Sequence, residues 1–93
     1  MRIGLVSYEF PPSVAIGGIG TYAWEAASML AAAGISVEVF AAGLGNTDEP
    51  AHDHGIRVHR LKANDRQAFR EGVLALFKTR HATHPFDVLE SPE

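Results

Sequence analysis

The residues best placed to hold a ligand are Gly17, Gly18 and Gly20, in the run Gly17-Gly18-Ile19-Gly20-Thr21-Tyr22. Glycines let the backbone approach a ligand with no side chain in between. A helix beginning here adds unpaired N–H groups and the positive end of its dipole, which suits a phosphate. Two acids are the other candidates. Glu9 and Glu90 each follow an apolar run, and paired carboxylates can do acid–base work or hold hydroxyl groups. His52-Asp53-His54, with His81 and His84, resembles a small metal site. Zinc wants three or four convergent ligands. These histidines fall in a glycine-containing loop and at a helix end, so solvated histidines are the expected reading and no metal or cofactor is assigned.

The elements that must position these residues follow from the hydrophobic pattern. Ile3 to Tyr8 reads as a buried strand. Glu9-Phe10-Pro11-Pro12-Ser13 is a loop, and a helix runs from Thr21 or Tyr22 to Ala33. Ile19, Ala23, Ala26, Leu30 and Ala33 share one face of it at helical spacing, and Gly34 is its expected stop. Val37 to Ala42 is a second strand, apolar enough to be covered on both faces. Gly43 to Gly55 reads as a loop. Ile56 to Leu61 is a third strand whose Arg57, His59 and Arg60 suggest an edge. A second helix, capped by Asn64 or Asp65, runs to about His81 and buries Phe69, Val73, Leu76 and Phe77. Phe86 to Glu90 is the fourth strand.

This order predicts an α/β fold: a partial Rossmann-like, doubly wound parallel sheet of about four strands with two main helices. Right-handed crossovers give the strand order 3-2-1-4, with one helix on each face. The switch point then lies between strands one and four. There the glycine motif and Glu90-Ser91-Pro92-Glu93 meet.

Two glycine motifs can be set aside. Gly18-Ile19-Gly20-Thr21-Tyr22-Ala23 fits the dinucleotide fingerprint, but nine residues separate Tyr8 from Gly18 and no acid ends the second strand. A P-loop would need Gly-Lys-Ser/Thr, which does not follow. The glycines could simply turn the chain into its helix, yet a loop this long is more than adjacent elements need.

The segment MRIGLVSYEFPPSVAIGGIGTYAWEAASMLAAAGISVEVFAAG resembles the N-terminus of a retaining, two-Rossmann-domain (GT-B) nucleotide-sugar glycosyltransferase. That large family includes sucrose synthases and many lipopolysaccharide and mannosyl transferases. The shared pattern is an opening strand, a Pro-Pro turn and Gly-Gly-x-Gly-x-Tyr leading into a helix. Gly34-Ile35-Ser36-Val37-Glu38-Val39, Gly55-Ile56-Arg57-Val58-His59-Arg60-Leu61 and Phe86-Asp87-Val88-Leu89-Glu90-Ser91 continue it. The resemblance implies that residues 1–93 are the first half of an N-terminal, acceptor-side domain, with the C-terminal donor domain absent. It implies a parent that transfers a sugar from a nucleotide-sugar donor to a carbohydrate or lipid-linked acceptor with retention. Gly17 and Gly18, with Ile19 and Gly20, would face the donor diphosphate and sugar. Glu9 and Glu90 would hold acceptor hydroxyls. Glycogen-synthase relatives carry a lysine just before this loop, where this chain has Ala15-Ile16. The catalytic groups would lie in the absent half, so the chain alone is expected to be inactive.

A non-catalytic half-Rossmann module acting through self-association is the alternative, and a nucleotide-binding response domain a third. Either way the bare fourth strand is expected to pair, in a homodimer or with the rest of its domain. Trp24, near the start of the first helix, is expected to pack, with an acceptor or partner contact as its other reading. Composition sets the remaining limits. The chain has 93 residues, 46% of them apolar, and a net charge of −3, which gives no electrostatic case for nucleic acid. It has no cysteine, no signal-peptide pattern and no apolar run near the ~20 residues that span a bilayer. A cytoplasmic location is expected, peripheral to the membrane as a variant in the parent.

Overall fold

In the computed structural model, residues 1–8, 10, 18–43, 47–49, 56–63 and 65–91 are described. Five strands form one sheet in the order β3-β4-β2-β1-β5. The strands are β1 (Arg2–Val6), β2 (Ser36–Gly43), β3 (Thr47–Glu49), β4 (Arg57–Lys62) and β5 (Val88–Glu90), and the helices are α1 (Gly18–Ala32) and α2 (Arg66–Thr83). β4, β2, β1 and β5 are mutually parallel, in the order expected. β3 pairs antiparallel with β4, Asp48 opposite His59. The sheet thus gains a fifth strand from the predicted loop, and the strand at Ile56 to Leu61 is interior rather than an edge. Of the three basic residues that suggested an edge, His59 and Arg60 are buried and only Arg57 is exposed.

β2 is the strand that builds the core. Its alternate residues feed two separate cores, since successive side chains point to opposite faces. Val37, Val39 and Ala41 join Leu5, Phe10, Val58, Ala23 and Ala27 under α1. Phe40 and Ala42 join Phe69, Val73 and Phe86 under α2. The two helices therefore cover opposite faces, which makes the arrangement doubly wound and Rossmann-like. Alanines at 23 and 27 let α1 lie close on the sheet. Its stripe is shifted from the expected one: Ala27 is buried, Ala26 only half-buried, and Ala33 exposed because the helix ends at Ala32. Gly34 follows with φ of 88°, the left-handed turn that favours glycine. α2 begins at the cap Asp65, whose carboxylate accepts from the Ala68 N–H at 2.8 Å.

Under α2, Phe40 meets Phe77 and Phe86 edge-on at 5.7 and 5.8 Å. Beside them Glu38 is a buried carboxylate in mid-strand, 4% exposed. Arg80 grips it with a fork, Nε to Oε1 at 3.0 Å and Nη2 to Oε2 at 3.1 Å. Arg2 Nη2 lies 2.8 Å from Oε2. His59 Nε2 lies 2.7 Å from Oε1; a carboxylate only accepts, so this nitrogen carries the hydrogen. Burial pushes the Glu38 carboxyl up, but the hydrogen bonds from Arg80, His59 and Arg2 outweigh it and hold the pKa at about 2, against an ordinary 4.5. One carboxylate thus joins β1, β2, β4 and α2.

Candidate functional site

The site is built at the C-terminal ends of β1 and β5, on either side of the switch point. After β1 the chain stays on β2, with the Ser7 N–H donating to the Phe40 carbonyl and the Ala42 N–H to the Tyr8 carbonyl. Phe10 then turns into the α1-side core, fully buried, its ring 5.6 Å from that of Trp24. Arg60, at the end of β4, locks this stretch. Its Nη1 donates to the Phe10 carbonyl at 3.0 Å and to the Ala42 carbonyl at 3.1 Å. Gly43 makes room for that side chain: a Cβ there would lie 2.9 Å from both Cβ and Cδ of Arg60. Phe10 and the end of β2 are therefore anchored on one buried guanidinium. Trp24 is half-buried against the same core, as packing requires.

Gly18, Ile19 and Gly20 are the first three residues of α1. The motif thus lies at a helix start, where the first N–H groups have no partner within the helix. Gly17 and Glu9 lie outside the described residues. Glu90 ends β5, and its Oε1 accepts from the Tyr22 hydroxyl at 3.4 Å. This contact brings the first turns of α1 to the mouth of the crevice beside β5, joining Glu90 to the glycine motif across 68 positions of sequence.

On the α2 side of the same strand ends lies a cavity of about 280 Å³ lined by Val6, Tyr8, Arg66, Phe69, Arg70 and Ser91. Tyr8 packs edge-on against Phe69 at 5.4 Å, and the Arg66 guanidinium lies 4.8 Å from the centre of the Tyr8 ring. This cavity was not anticipated from sequence. Its signal was the pair Arg66 and Arg70, four apart on the first turns of the second helix, where arginine is electrostatically misplaced.

Of the histidines, only some can be placed. His52, Asp53 and His54 lie outside the described residues. His81 Nδ1 accepts from the Phe86 N–H at 3.0 Å and its ring stacks on Phe77. His84 closes α2 through its backbone N–H. Among the described residues no three His, Cys, Asp or Glu side chains are grouped to hold a metal, and no helix is long and apolar enough to cross a membrane.

Among the described residues the arrangement offers groups for binding: backbone donors at a helix start, one carboxylate across the crevice, and a cavity beside it with two arginines on its lining. Residues 17–93 match the profile of the glycosyl transferase 4-like domain. No curated protein sequence matches the chain significantly.

Proposed function

The chain belongs to the glycosyl transferase 4-like family, and from that premise we propose that it is the acceptor-side part of a GT-B transferase. That enzyme moves a sugar from a nucleotide-sugar donor to a carbohydrate or lipid-linked acceptor with retention. The observation that carries this reading is the contact of Tyr22 with Glu90, which sets the start of α1 against the end of β5 at the switch point. Open α/β sheets bind ligands in that crevice. Gly17, Gly18, Ile19 and Gly20 face the donor phosphates through backbone N–H groups. Glu90 and Glu9 accept hydrogen bonds from acceptor hydroxyls. The groups that carry out transfer belong to a second domain, so this chain by itself binds weakly and turns nothing over.

The test is a panel of nucleotide sugars incubated with the full-length protein carrying this chain. Acceptor-dependent release of nucleoside diphosphate, with the anomeric configuration of the product unchanged by NMR, is expected. Absence of transfer from every donor in the panel would remove the reading. The 93-residue chain alone should give no turnover, and micromolar binding of a nucleotide sugar to it would show that the donor site is not shared between two domains.

We also assign the partner surface to β5. It forms one end of the sheet, and Val88 and Leu89 are 45% and 49% exposed. Unpaired strand edges with apolar side chains invite pairing. Two copies joined through β5 extend the sheet across a twofold axis. Sedimentation of the dilute chain should show at least a dimer, and charging the edge with Leu89→Lys should return it to a monomer. A monomer in both proteins would refute this surface.

A further inference from the structure

We propose that His81 is a proton-operated latch on β5. It lies in the last turn of α2, and its Nδ1 accepts a hydrogen bond from the Phe86 N–H at 3.0 Å. A backbone N–H only donates, so Nδ1 presents a lone pair here and the ring is neutral, with its hydrogen on Nε2. Phe86 is buried against Phe40 and Phe77. Two residues later the chain enters β5, a short strand at one end of the sheet. It is held to β1 by the pairing of Ile3, Gly4 and Leu5 with Val88, Leu89 and Glu90. The imidazole thus ties the end of α2 to the start of β5.

A proton on Nδ1 turns this acceptor into a second donor, and the Phe86 N–H then faces another N–H. Solvent reaches the ring, which is exposed and stacks on Phe77 and Phe86 at 5.5 and 6.2 Å. Imidazole is also the side chain suited to change charge between about pH 5 and 8. The carbonyl end of α2 and the two aromatic faces accommodate a cation, but they give the Phe86 N–H no new acceptor. The neighbouring charges are engaged elsewhere. Arg2 of β1 donates to the Pro85 and His84 carbonyls at 3.3 and 3.0 Å and lies 4.5 Å from the centre of the Phe86 ring. Glu38 of β2 holds Arg2, Arg80 and His59 of β4. The Asp87 carboxylate accepts from the Arg2 N–H at 2.7 Å. Lys78 lies about one turn back on α2, and His84 caps that helix through its backbone N–H. Among the described residues no carboxylate pairs with His81. Proton uptake therefore releases the Phe86 N–H and loosens Asp87, whose N–H donates to the Arg2 carbonyl at 2.8 Å. Glu90 of the crevice ends the same strand.

The test is amide hydrogen exchange on the whole chain by NMR at about pH 7.5 and about pH 5.5, a range that spans imidazole titration. Each rate is divided by the intrinsic rate at its pH, and the His81 ring is followed by its Cε1 signal. Protection of Phe86 and Asp87 should fall about fivefold at the lower pH, the loss of one hydrogen bond. The Phe86 amide signal should move with the same midpoint as the His81 ring. In His81→Asn the side-chain carbonyl offers an acceptor that takes up no proton in this range, so protection should not change with pH. His81→Ala offers no acceptor and should show low protection at both. His84→Asn should respond as the parent does. Loss of the response in both His81 variants assigns it to this ring. Protection independent of pH in the parent, a Phe86 midpoint unlike that of the His81 ring, or a response that survives in either His81 variant would overturn the latch. All of these readings are made on the chain itself, so the latch stands or falls separately from transfer of any sugar.

Discussion

Valine in place of Gly18 is expected to lower turnover of the full-length transferase by about two orders of magnitude while the domain stays folded. Gly18 opens α1, and a helix tolerates valine at least as well as glycine, so the element itself survives. Under the donor role proposed for the glycines, what is lost is the approach of backbone to phosphate. A branched side chain at this position displaces the donor by an ångström or more, and a misplacement of that size costs about a hundredfold. Steady-state kinetics on the purified variant, paired with its circular dichroism melt, separates the two effects. Near-normal kcat/KM in a folded Gly18→Val enzyme would show that the glycines serve only the turn. Gly18→Ala, which adds a single methyl, should fall between.

Removing the carboxylate of Glu38 is expected to destabilise the domain by about 3–5 kcal/mol, because it leaves two half-buried guanidinium groups and a buried imidazole N–H without their shared acceptor. Arg2, His59 and Arg80 all direct nitrogens at this one group. Domains of this size have only about 5–15 kcal/mol in total, so Glu38→Ala approaches complete loss of fold in a urea melt. A loss below about 1 kcal/mol would mean that the cations find water instead. Acid gives an independent measurement. The Glu38 pKa is depressed in the folded state to about 2 from 4.5. Its contribution is therefore complete above the ordinary value and is lost as pH falls through the interval down to about 2. The shift corresponds to about 3 kcal/mol. Glu38→Gln should remove that part of the acid dependence, leaving a flatter stability profile between pH 4.5 and 2 than the parent shows.

The parallel sheet and its two helices were legible in the sequence because apolar runs and helical stripes are local signals. Ile3 to Tyr8 and Val37 to Ala42 could only be buried, and the crossover rule then ordered the strands. β3 was not legible. Thr47-Asp48-Glu49 has neither alternation nor apolar content, and its pairing depends on the open side of β4, a partner that exists only after the sheet forms. The basic residues of β4 misled for a related reason. His59 and Arg60 are adjacent, so they point to opposite faces and meet different partners: Glu38 on one side, the Phe10 and Ala42 carbonyls on the other. Nothing local distinguishes that pair from a solvated edge. One signal was available. Glu38 shares a face with Phe40 and Ala42 at a spacing of two, so a buried strand face had to hold a charge and therefore to find cations for it. For the candidate site, the nearness of the start of α1 to Glu90 was readable from the order of elements. The cavity was not, because it combines the ends of two strands with the first turns of a helix.

The gathering of two guanidinium groups and an imidazole N–H on Glu38 also acts as a proofreader during assembly. Pairing of β2 against its neighbours is largely a matter of apolar residues, and Val37, Val39, Phe40, Ala41 and Ala42 would fit a sheet almost as well in a neighbouring alignment. A shift of one residue turns every side chain to the other face. Glu38 would then enter the layer formed by Leu5, Ala23 and Val58, where the buried cation of that face, Arg60, is engaged by the Phe10 and Ala42 carbonyls, while Arg2, His59 and Arg80 would lose the carboxylate they share. The penalty for that error is several kcal/mol at each end, larger than the differences among the apolar alignments. A single acidic residue thereby makes one alignment of an otherwise permissive strand the only affordable one, and the strand ends that form the crevice inherit their relative heights from it.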